Sequence, residues 1–388
     1  MIVSKKEIQV PANEPEERFL LGTVEFEAIS PDTLRIRPEL KPRAVWRAHV
    51  DDPYVNAYPS QVLLEVRAHE REIDSIARER RLMGHWERRP GTTYISGATE
   101  LAKEAGVWGD PVASSRYFEA LDSPASDAWH GLIPSAFALL YVADPFGFDH
   151  VQFSGGSVIA DDTVRLQLSL CIDAVGIRSR ASVMASLVRA ILHEPNQARG
   201  SRETQARWMS IACGTALPAI KAAVQAEFDG DLLLIDIDGK ALARVKTLAS
   251  EVGFFGAVTT HRMNIFNPRR MEVLADELRA SGNQPNLIDL MGIFEYTGAN
   301  IGVDPSQFLR SAYDCLAAGG TLILGQMRAD RPMPDFLTGV LRWPYIEMRT
   351  IDQLMQLVAG AGIKPESVDL YLPADGIYAI GVIRKREP

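Results

Sequence analysis

The segment that most constrains the fold is 207–240, because its pattern predicts two buried strands joined by a tight turn and a helix. Residues 208–213 form a short apolar run, as in a buried parallel strand. Residues 212–216 have only small side chains, so the backbone can turn sharply there and a ligand can come close. A second apolar run, 232–235, ends at Asp236. A carboxylate at the tip of this second strand can accept hydrogen bonds from a ribose diol, so the segment predicts a nucleoside-binding βαβ unit.

The chain beyond this segment continues to alternate between helices and strands. Such alternation predicts a parallel sheet with helices on both faces. The dipeptide Asp375-Gly376 is a hairpin signal and predicts that the last strand is antiparallel. After the first strand, the predicted strands span 231–237, 256–263, 286–292, 319–327, 366–372 and 376–384, and the predicted helices span 216–228, 239–252, 268–281, 304–318 and 350–361.

The motifs SIACGTA (210–216) and LLLIDID (232–238) resemble the first two motifs of class I S-adenosylmethionine (SAM)-dependent methyltransferases. Of that family's glycine pattern the chain keeps only Gly214. Ser210 stands at the usual acidic position, and Ala212 and Ala216 stand at two glycine positions. A dinucleotide-binding Rossmann unit is the competing interpretation, although its own glycine pattern is also absent.

The order of the later segments favours the methyltransferase interpretation. Segments 286–298, 317–327 and 348–363 resemble the fourth-strand motif, the fifth strand and the late helix of the family. The resemblance extends over roughly 165–388. It implies an α/β, Rossmann-like sheet of seven strands with the last strand antiparallel, and SAM as the cofactor.

Two domains are expected, 1–160 and 161–388, because the chain of 388 residues is long for one core. The first resembles no family and is predicted to be a separate mixed α+β domain, with a hairpin over 23–37. The resemblance implies that it forms the substrate pocket or a cap. Further sequence patterns predict helices over 60–83, 98–105 and 180–193, a helix starting near Thr163 that Asp161 or Asp162 caps, and an apolar helix or strand over 134–142.

The resemblance also assigns roles to residues at the strand tips. Gly214 and Thr215 are expected to approach the amino acid part of SAM, and Asp236 the ribose. Asn264 and Ile265 are expected beside the adenine. A strand-end turn is the alternative for Asp236, and a loop turn is the alternative for Asn264. The other expected cofactor contacts are Ser210, Ala212, Ile237 and Gly292.

Four residues are candidates for catalysis. Glu295 and Tyr296 follow the fourth strand, and packing is their alternative role. His130 and His150 lie beside aromatic residues in the first domain, and a structural role is the alternative for both. For an oxygen or nitrogen acceptor, one of these groups could remove the proton. The seven histidines are too scattered along the chain to indicate a metal site.

Composition narrows the function classes. A net charge of −9 argues against a nucleic-acid backbone as partner. The three cysteines, which lie in apolar stretches, indicate buried thiols. No apolar run has the length of a membrane span or a signal peptide, so we expect a cytoplasmic protein that does not bind membranes.

The leading hypothesis is therefore a SAM-dependent methyltransferase acting on a small molecule, such as a metabolite or natural product. The alternatives are a SAM-binding protein of this fold with a regulatory or other catalytic role, and a methyltransferase with a protein substrate. A homo-oligomer is compatible with the sequence.

Overall fold

The computed structural model describes residues 26–30, 33–36, 111–193, 206–298, 301–331, 333–334, 336–373 and 375–386. The predicted helices over 60–83 and 98–105 lie outside these residues. The elements up to residue 193 are β1 (Phe26–Ser30), β2 (Thr33–Ile36), α1 (Pro111–Leu121), α2 (Pro124–His130), α3 (Ala136–Ala143), β3 (His150–Phe153), β4 (Gly156–Ile159), α4 (Asp162–Leu170) and α5 (Ile172–His193).

The elements after residue 206 alternate as the sequence predicts. They are β5 (Arg207–Ile211), α6 (Leu217–Gln225), β6 (Asp231–Asp236), α7 (Gly239–Glu251), β7 (Ala257–Arg262), α8 (Pro268–Ala280), β8 (Leu287–Leu290), α9 (Pro305–Cys315), β9 (Thr321–Met327), α10 (Ile351–Gly360), β10 (Val368–Pro373) and β11 (Tyr378–Arg384), with short helical turns at Phe294–Tyr296, Phe336–Val340 and Pro365–Ser367.

The main sheet has the strand order β1-β2-β10-β11-β9-β8-β5-β6-β7. Strands β5 to β9 pair in parallel, whereas β11 is antiparallel to both β9 and β10. Two apolar clusters cover its two faces, one including α6 and α7 and the other α8, α9 and α10. The prediction of a seven-stranded mixed sheet with an antiparallel last strand is confirmed for β5 to β11.

The predicted N-terminal hairpin is present and extends this sheet to nine strands. Strand β2 pairs antiparallel with β10, from Leu370 opposite Ile36 to Pro373 opposite Thr33. Without it, β10 would present a row of unpaired backbone groups, so the hairpin protects that edge. The sequence predicted the hairpin as part of the N-terminal domain and did not predict its pairing with the last strands.

Local capping explains where several helices begin. The Asp161 side chain accepts from Val164 N at 2.8 Å and caps α4, as one of the two predicted alternatives. Asp238 likewise caps α7 by accepting from Lys240 N at 2.8 Å. The apolar stretch over 134–142 forms helix α3. Helix α5 begins at Ile172, well before the predicted start at 180. The prediction is too late because Asp173 and Arg178 are buried polar residues that interrupt the apolar pattern of the helix.

A buried carboxylate joins two central strands behind the site. Asp289 on β8 accepts from Trp208 Nε1 at 2.7 Å and from Ser210 Oγ at 3.0 Å, both on the neighbouring strand β5. Burial raises the pKa of Asp289 to about 6, although the bonds from Ser210 and Trp208 and the positive charge of Arg180 oppose that rise. Two strands therefore share one acidic group in the interior of the sheet.

This raised pKa predicts how stability depends on pH. Between the ordinary carboxyl value of 3.8 and about 6, folded Asp289 holds a proton that the unfolded chain has lost. Stability contributed by this group therefore falls as pH rises through that window, by about 3 kcal/mol in total.

The Asp289→Asn variant removes the titration. Relative to wild type, we expect the stability of this variant, measured as its free energy of unfolding in urea, to increase by about 3 kcal/mol between pH 4 and 7. Asp276→Asn, on the exposed surface of α8, is the matched control, for which we expect a curve parallel to wild type. Parallel curves for both variants would show that Asp289 does not titrate in this window.

Candidate functional site

The carboxyl ends of β5, β6, β7, β8 and β9 meet at one edge of the sheet, where open α/β sheets bind ligands. The turn after β5 has an unusual backbone. Ala212, Gly214 and Ala216 all have left-handed φ angles, of 54°, 56° and 58°. The two alanines stand where the resembling family carries glycines, and they adopt the backbone conformation that glycine favours. For alanine this conformation costs roughly 1–2 kcal/mol per residue, so the turn is strained.

Asp236, at the tip of β6, holds this turn in place. Its Oδ2 accepts from Gly214 N at 2.7 Å and its Oδ1 accepts from Asp238 N at 2.8 Å. Burial raises the pKa of Asp236, while these two backbone N–H groups act in the opposite direction. A carboxylate offers about four acceptor positions, so roughly two remain for other donors.

The other residues expected at the cofactor have identifiable neighbours. Ser210 faces Asp289 and Thr215 is buried, while an added Cβ at Gly214 would lie 2.9 Å from the Ala136 side chain of α3. The first turn of α3 therefore lies directly against the strained turn. The backbone N–H of Gly214 donates to Asp236, so it already has a hydrogen-bond partner within the protein.

The loop after β7 contains Asn264, whose Oδ1 accepts from Phe266 N at 3.0 Å. The side chain thus closes a local turn, the alternative weighed for it. Ile265 is buried and lines a neighbouring cleft with an empty volume of about 410 Å³. Ile237, after β6, accepts from Arg262 Nε at 3.0 Å through its backbone oxygen.

A largely apolar cavity lies beside the tips of β8 and β9, with an empty volume of about 580 Å³ including the part that opens to solvent. Its walls come from α2 to α5, from the turn after β8, from the segment after β9 and from the start of β11. The lining residues are Trp129, Leu139, Val142, Gln167, Leu168, Cys171, Asp173, Ala174, Ile177, Arg180, Gly292, Glu295, Tyr296, Met327, Leu337, Leu341, Trp343, Ile346 and Tyr378.

Glu295 and Tyr296 both line this cavity and both are buried. Arg180 Nη1 lies 3.5 Å from Glu295 Oε1. Burial raises the pKa of Glu295, and the positive charges of Arg180 and Arg349 oppose the rise. Burial also raises the pKa of Tyr296, whose hydroxyl oxygen accepts from Trp343 Nε1.

Arg349 fixes the turn that carries these two residues. Its Nη1 donates to Phe294 O at 2.9 Å and to Gln326 Oε1 at 2.6 Å, which ties the turn to strand β9. Gly292 has a φ angle of 102°, and an added Cβ there would lie 2.9 Å from Arg180 Nη2. Arg180 therefore reaches both the tip of β8 and Glu295.

The structure places the two candidate histidines away from the cavity lining. His130 stacks on Phe118 with ring centroids 4.2 Å apart, and its Nε2 lies 3.0 Å from Leu341 O. His150 is exposed on β3, opposite Ile159 of β4. Glu295 and Tyr296 are thus the two predicted catalytic candidates that share the cavity.

Several polar residues of the cavity were not predicted from the sequence. Asp173 forms an ion pair with Arg331, and both side chains are buried. Gln167 and Arg180 are buried on α4 and α5. The available signal is their position on the helix. Gln167, Asp173 and Arg180 each lie on the apolar side of α4 or α5, where a polar group without a partner is costly to bury.

No group of three or more histidine, cysteine, aspartate or glutamate side chains among the described residues could hold a metal ion. None of the helices in the described part of the chain is long and apolar enough to cross a membrane.

No protein-family model matches the sequence, and no curated protein matches it. Among solved structures, a possible exported protein from Bordetella parapertussis superposes with a TM-score of 0.50 at 14% identity, over 87% of this chain and 99% of that one. An O-methyltransferase family protein from Burkholderia thailandensis has a TM-score of 0.40 at 16% identity, over 59% of this chain and 61% of that one. Magnesium protoporphyrin IX methyltransferase from Synechocystis PCC 6803, solved with bound SAH, has a TM-score of 0.37 at 14% identity, over 55% and 87%.

At sequence identities this low, similarity to a solved structure bears on the fold alone. The strand order of the sheet identifies the fold directly. From β7 to β10 the order is β7-β6-β5-β8-β9-β11-β10, with β11 antiparallel to its neighbours. The chain therefore has the Rossmann-like methyltransferase fold, a seven-stranded mixed sheet whose last strand is antiparallel, extended here by an N-terminal hairpin.

Proposed function

We propose that the chain is a methyltransferase that transfers a methyl group from SAM to a small-molecule acceptor. The observation that carries this proposal is the position of the apolar cavity. It borders the tip of β8 at Gly292 and contains a buried, raised-pKa carboxyl group, Glu295. Pockets that bury most of a ligand's surface and contain few polar groups are typical of small-molecule sites.

The residues at the neighbouring strand tips fit a nucleoside cofactor. Asp236 retains acceptor capacity after its two backbone bonds and suits a ribose diol. The turn over 212–216 contains only small side chains, so a ligand can approach its backbone. Asn264, Ile265 and Ile237 would lie on the adenine side, and Gly292 would lie between cofactor and acceptor. When bound, SAM supplies a methyl group that its positively charged sulfur already activates.

The chain's own contribution is then alignment, exclusion of water and proton removal. The apolar walls exclude water from the acceptor. Glu295 is the group we assign to accept a proton from an acceptor O–H or N–H, because a pKa raised by burial makes a carboxylate a stronger base. Tyr296, held by Trp343, and Arg180, beside Glu295, position this base.

The same proposal gives a role to each of the two expected domains, 1–160 and 161–388. Trp129, Leu139 and Val142 come from the segment before residue 160 and line the cavity together with α4, α5 and the sheet edge. This supports the proposal that the N-terminal part forms a share of the acceptor pocket and that the part from 161 onward binds SAM.

Asp236→Ala tests the cofactor assignment. Removing the carboxylate should weaken SAM binding by about 1–3 kcal/mol, measured by calorimetry, because ribose hydroxyls would lose their acceptor. Asp238→Ala is the matched control: it removes the cap of α7, costs about 1 kcal/mol of folding stability, and should leave the dissociation constant for SAM unchanged. Tight NAD binding with no SAM binding would overturn the assignment.

Glu295→Gln tests the proposed base. With SAM bound normally, we expect the rate constant for methyl transfer to fall by about 10²–10⁴-fold. In wild type the rate should fall as pH drops through the raised pKa of Glu295, because the protonated carboxyl cannot accept a proton. The variant should lack this acidic limb. Glu277→Gln, on the exposed surface of α8, is the control and should retain it. An acidic limb that persists in Glu295→Gln would assign the base elsewhere.

A further inference from the structure

We propose that Gln167 is the residue that binds the acceptor, and that the acceptor is a neutral, mostly apolar molecule with a group that both donates and accepts a hydrogen bond, such as a primary amide. This inference rests on the proposed function, because it concerns the same cavity. It adds the chemical class of the acceptor and the side chain that recognises it.

Gln167 lies near the end of α4, and its side chain lines the cavity. The residue is only 2% exposed, yet neither its Oε1 nor its Nε2 has a hydrogen-bond partner within the protein. Leaving a buried amide unpaired costs free energy for each unsatisfied atom. A bound ligand with one donor and one acceptor, spaced as in an amide, would satisfy both atoms at once.

The charges that line the cavity favour a neutral ligand. Asp173 is paired with Arg331, and Arg180 lies beside Glu295. Each charged residue that lines the cavity therefore has an oppositely charged partner, although Arg331, the partner of Asp173, is not itself a lining residue. A charged acceptor would have to compete with one of these pairs in a place where desolvating an ion is costly.

The remaining lining residues are mainly aliphatic and aromatic, which favours a hydrophobic body for the ligand. These residues are Trp129, Leu139, Val142, Leu168, Ile177, Leu337, Leu341, Trp343 and Ile346. Gln167 on α4 and Glu295 in the turn after β8 both line the cavity and come from different elements of the fold. An acceptor bound to Gln167 at one end could thus present a different atom to Glu295.

Three probes with the same ring system separate the contributions of the hydrogen-bond donor, the hydrogen-bond acceptor and the charge to binding. 2-Naphthamide has a donor and an acceptor, 2-acetylnaphthalene has only the acceptor, and 2-naphthoate is an anion. Binding of each to the full-length protein saturated with S-adenosylhomocysteine is measured by ligand-observed NMR. We expect wild type to bind 2-naphthamide about tenfold more tightly than either other probe, the ratio expected from one additional net hydrogen bond.

The Gln167→Leu variant should lose this preference, with 2-naphthamide and 2-acetylnaphthalene binding equally. Gln225→Leu, on the exposed surface of α6, is the matched control and should keep it. Gln167→Leu should also unfold at a temperature equal to or higher than wild type, because an apolar side chain leaves no buried polar atom unpaired. A marked fall in unfolding temperature would assign Gln167 a structural role and overturn the proposal.

Three further results would overturn it: equal preference in wild type and Gln167→Leu, tighter binding of 2-naphthoate, or no measurable binding of 2-naphthamide to wild type. These readouts need no methyl transfer. A protein that binds SAM and prefers 2-naphthamide, but transfers no methyl group, would refute the proposed function and leave the role of Gln167 intact.

Discussion

The arrangement of the site depends on the carboxylate of Asp289 in the middle of the sheet. It joins β5 and β8 through Trp208 and Ser210, so the two strands whose ends flank the site are tied by side chains as well as by their backbones. A buried carboxyl group with two good donors is stable, but the same group would be costly if either donor were lost. Its negative charge also contributes to the raised pKa of the Cys213 thiol, after the larger effects of burial and of the charge of Asp236. The interior of the sheet and the strained turn are therefore electrostatically coupled.

Most of the fold could be predicted because it is encoded locally. The apolar runs at β6 and β9 are short and bounded by turn residues, and the helices between them begin at capping side chains such as Asp238. The turn after β5 illustrates a limit of motif matching. Ala212 and Ala216 depart from the family pattern in sequence, yet they adopt the left-handed backbone that the missing glycines would favour. Small size was the property that mattered, and glycine itself was not required.

The cavity could be predicted only in part, because its polar residues meet through contacts between distant segments. The ion pairs of Arg331 with Asp173 and of Arg180 with Glu295 each join residues that are far apart in the sequence. At the start of α5, the buried polar residues Asp173 and Arg178 interrupt the apolar pattern, so the pattern predicts too late a start for this helix. His130 and His150 were predicted as catalytic candidates from the chemistry of the imidazole group, whereas no sequence motif marks Gln167. Its position on the helix indicates burial, but only the three-dimensional structure shows that its amide has no hydrogen-bond partner.

The pairing of β2 with β10 has a consequence for how the protein is made. These strands lie far apart in the sequence, so β2 leaves the ribosome long before its partner is synthesised. At typical synthesis rates the delay is on the order of tens of seconds. During that time the hairpin has exposed backbone groups on the side that β10 later occupies. Closing the sheet edge is therefore a late step of biogenesis, and a nascent chain that stalls before residue 368 would release an unprotected strand to its surroundings.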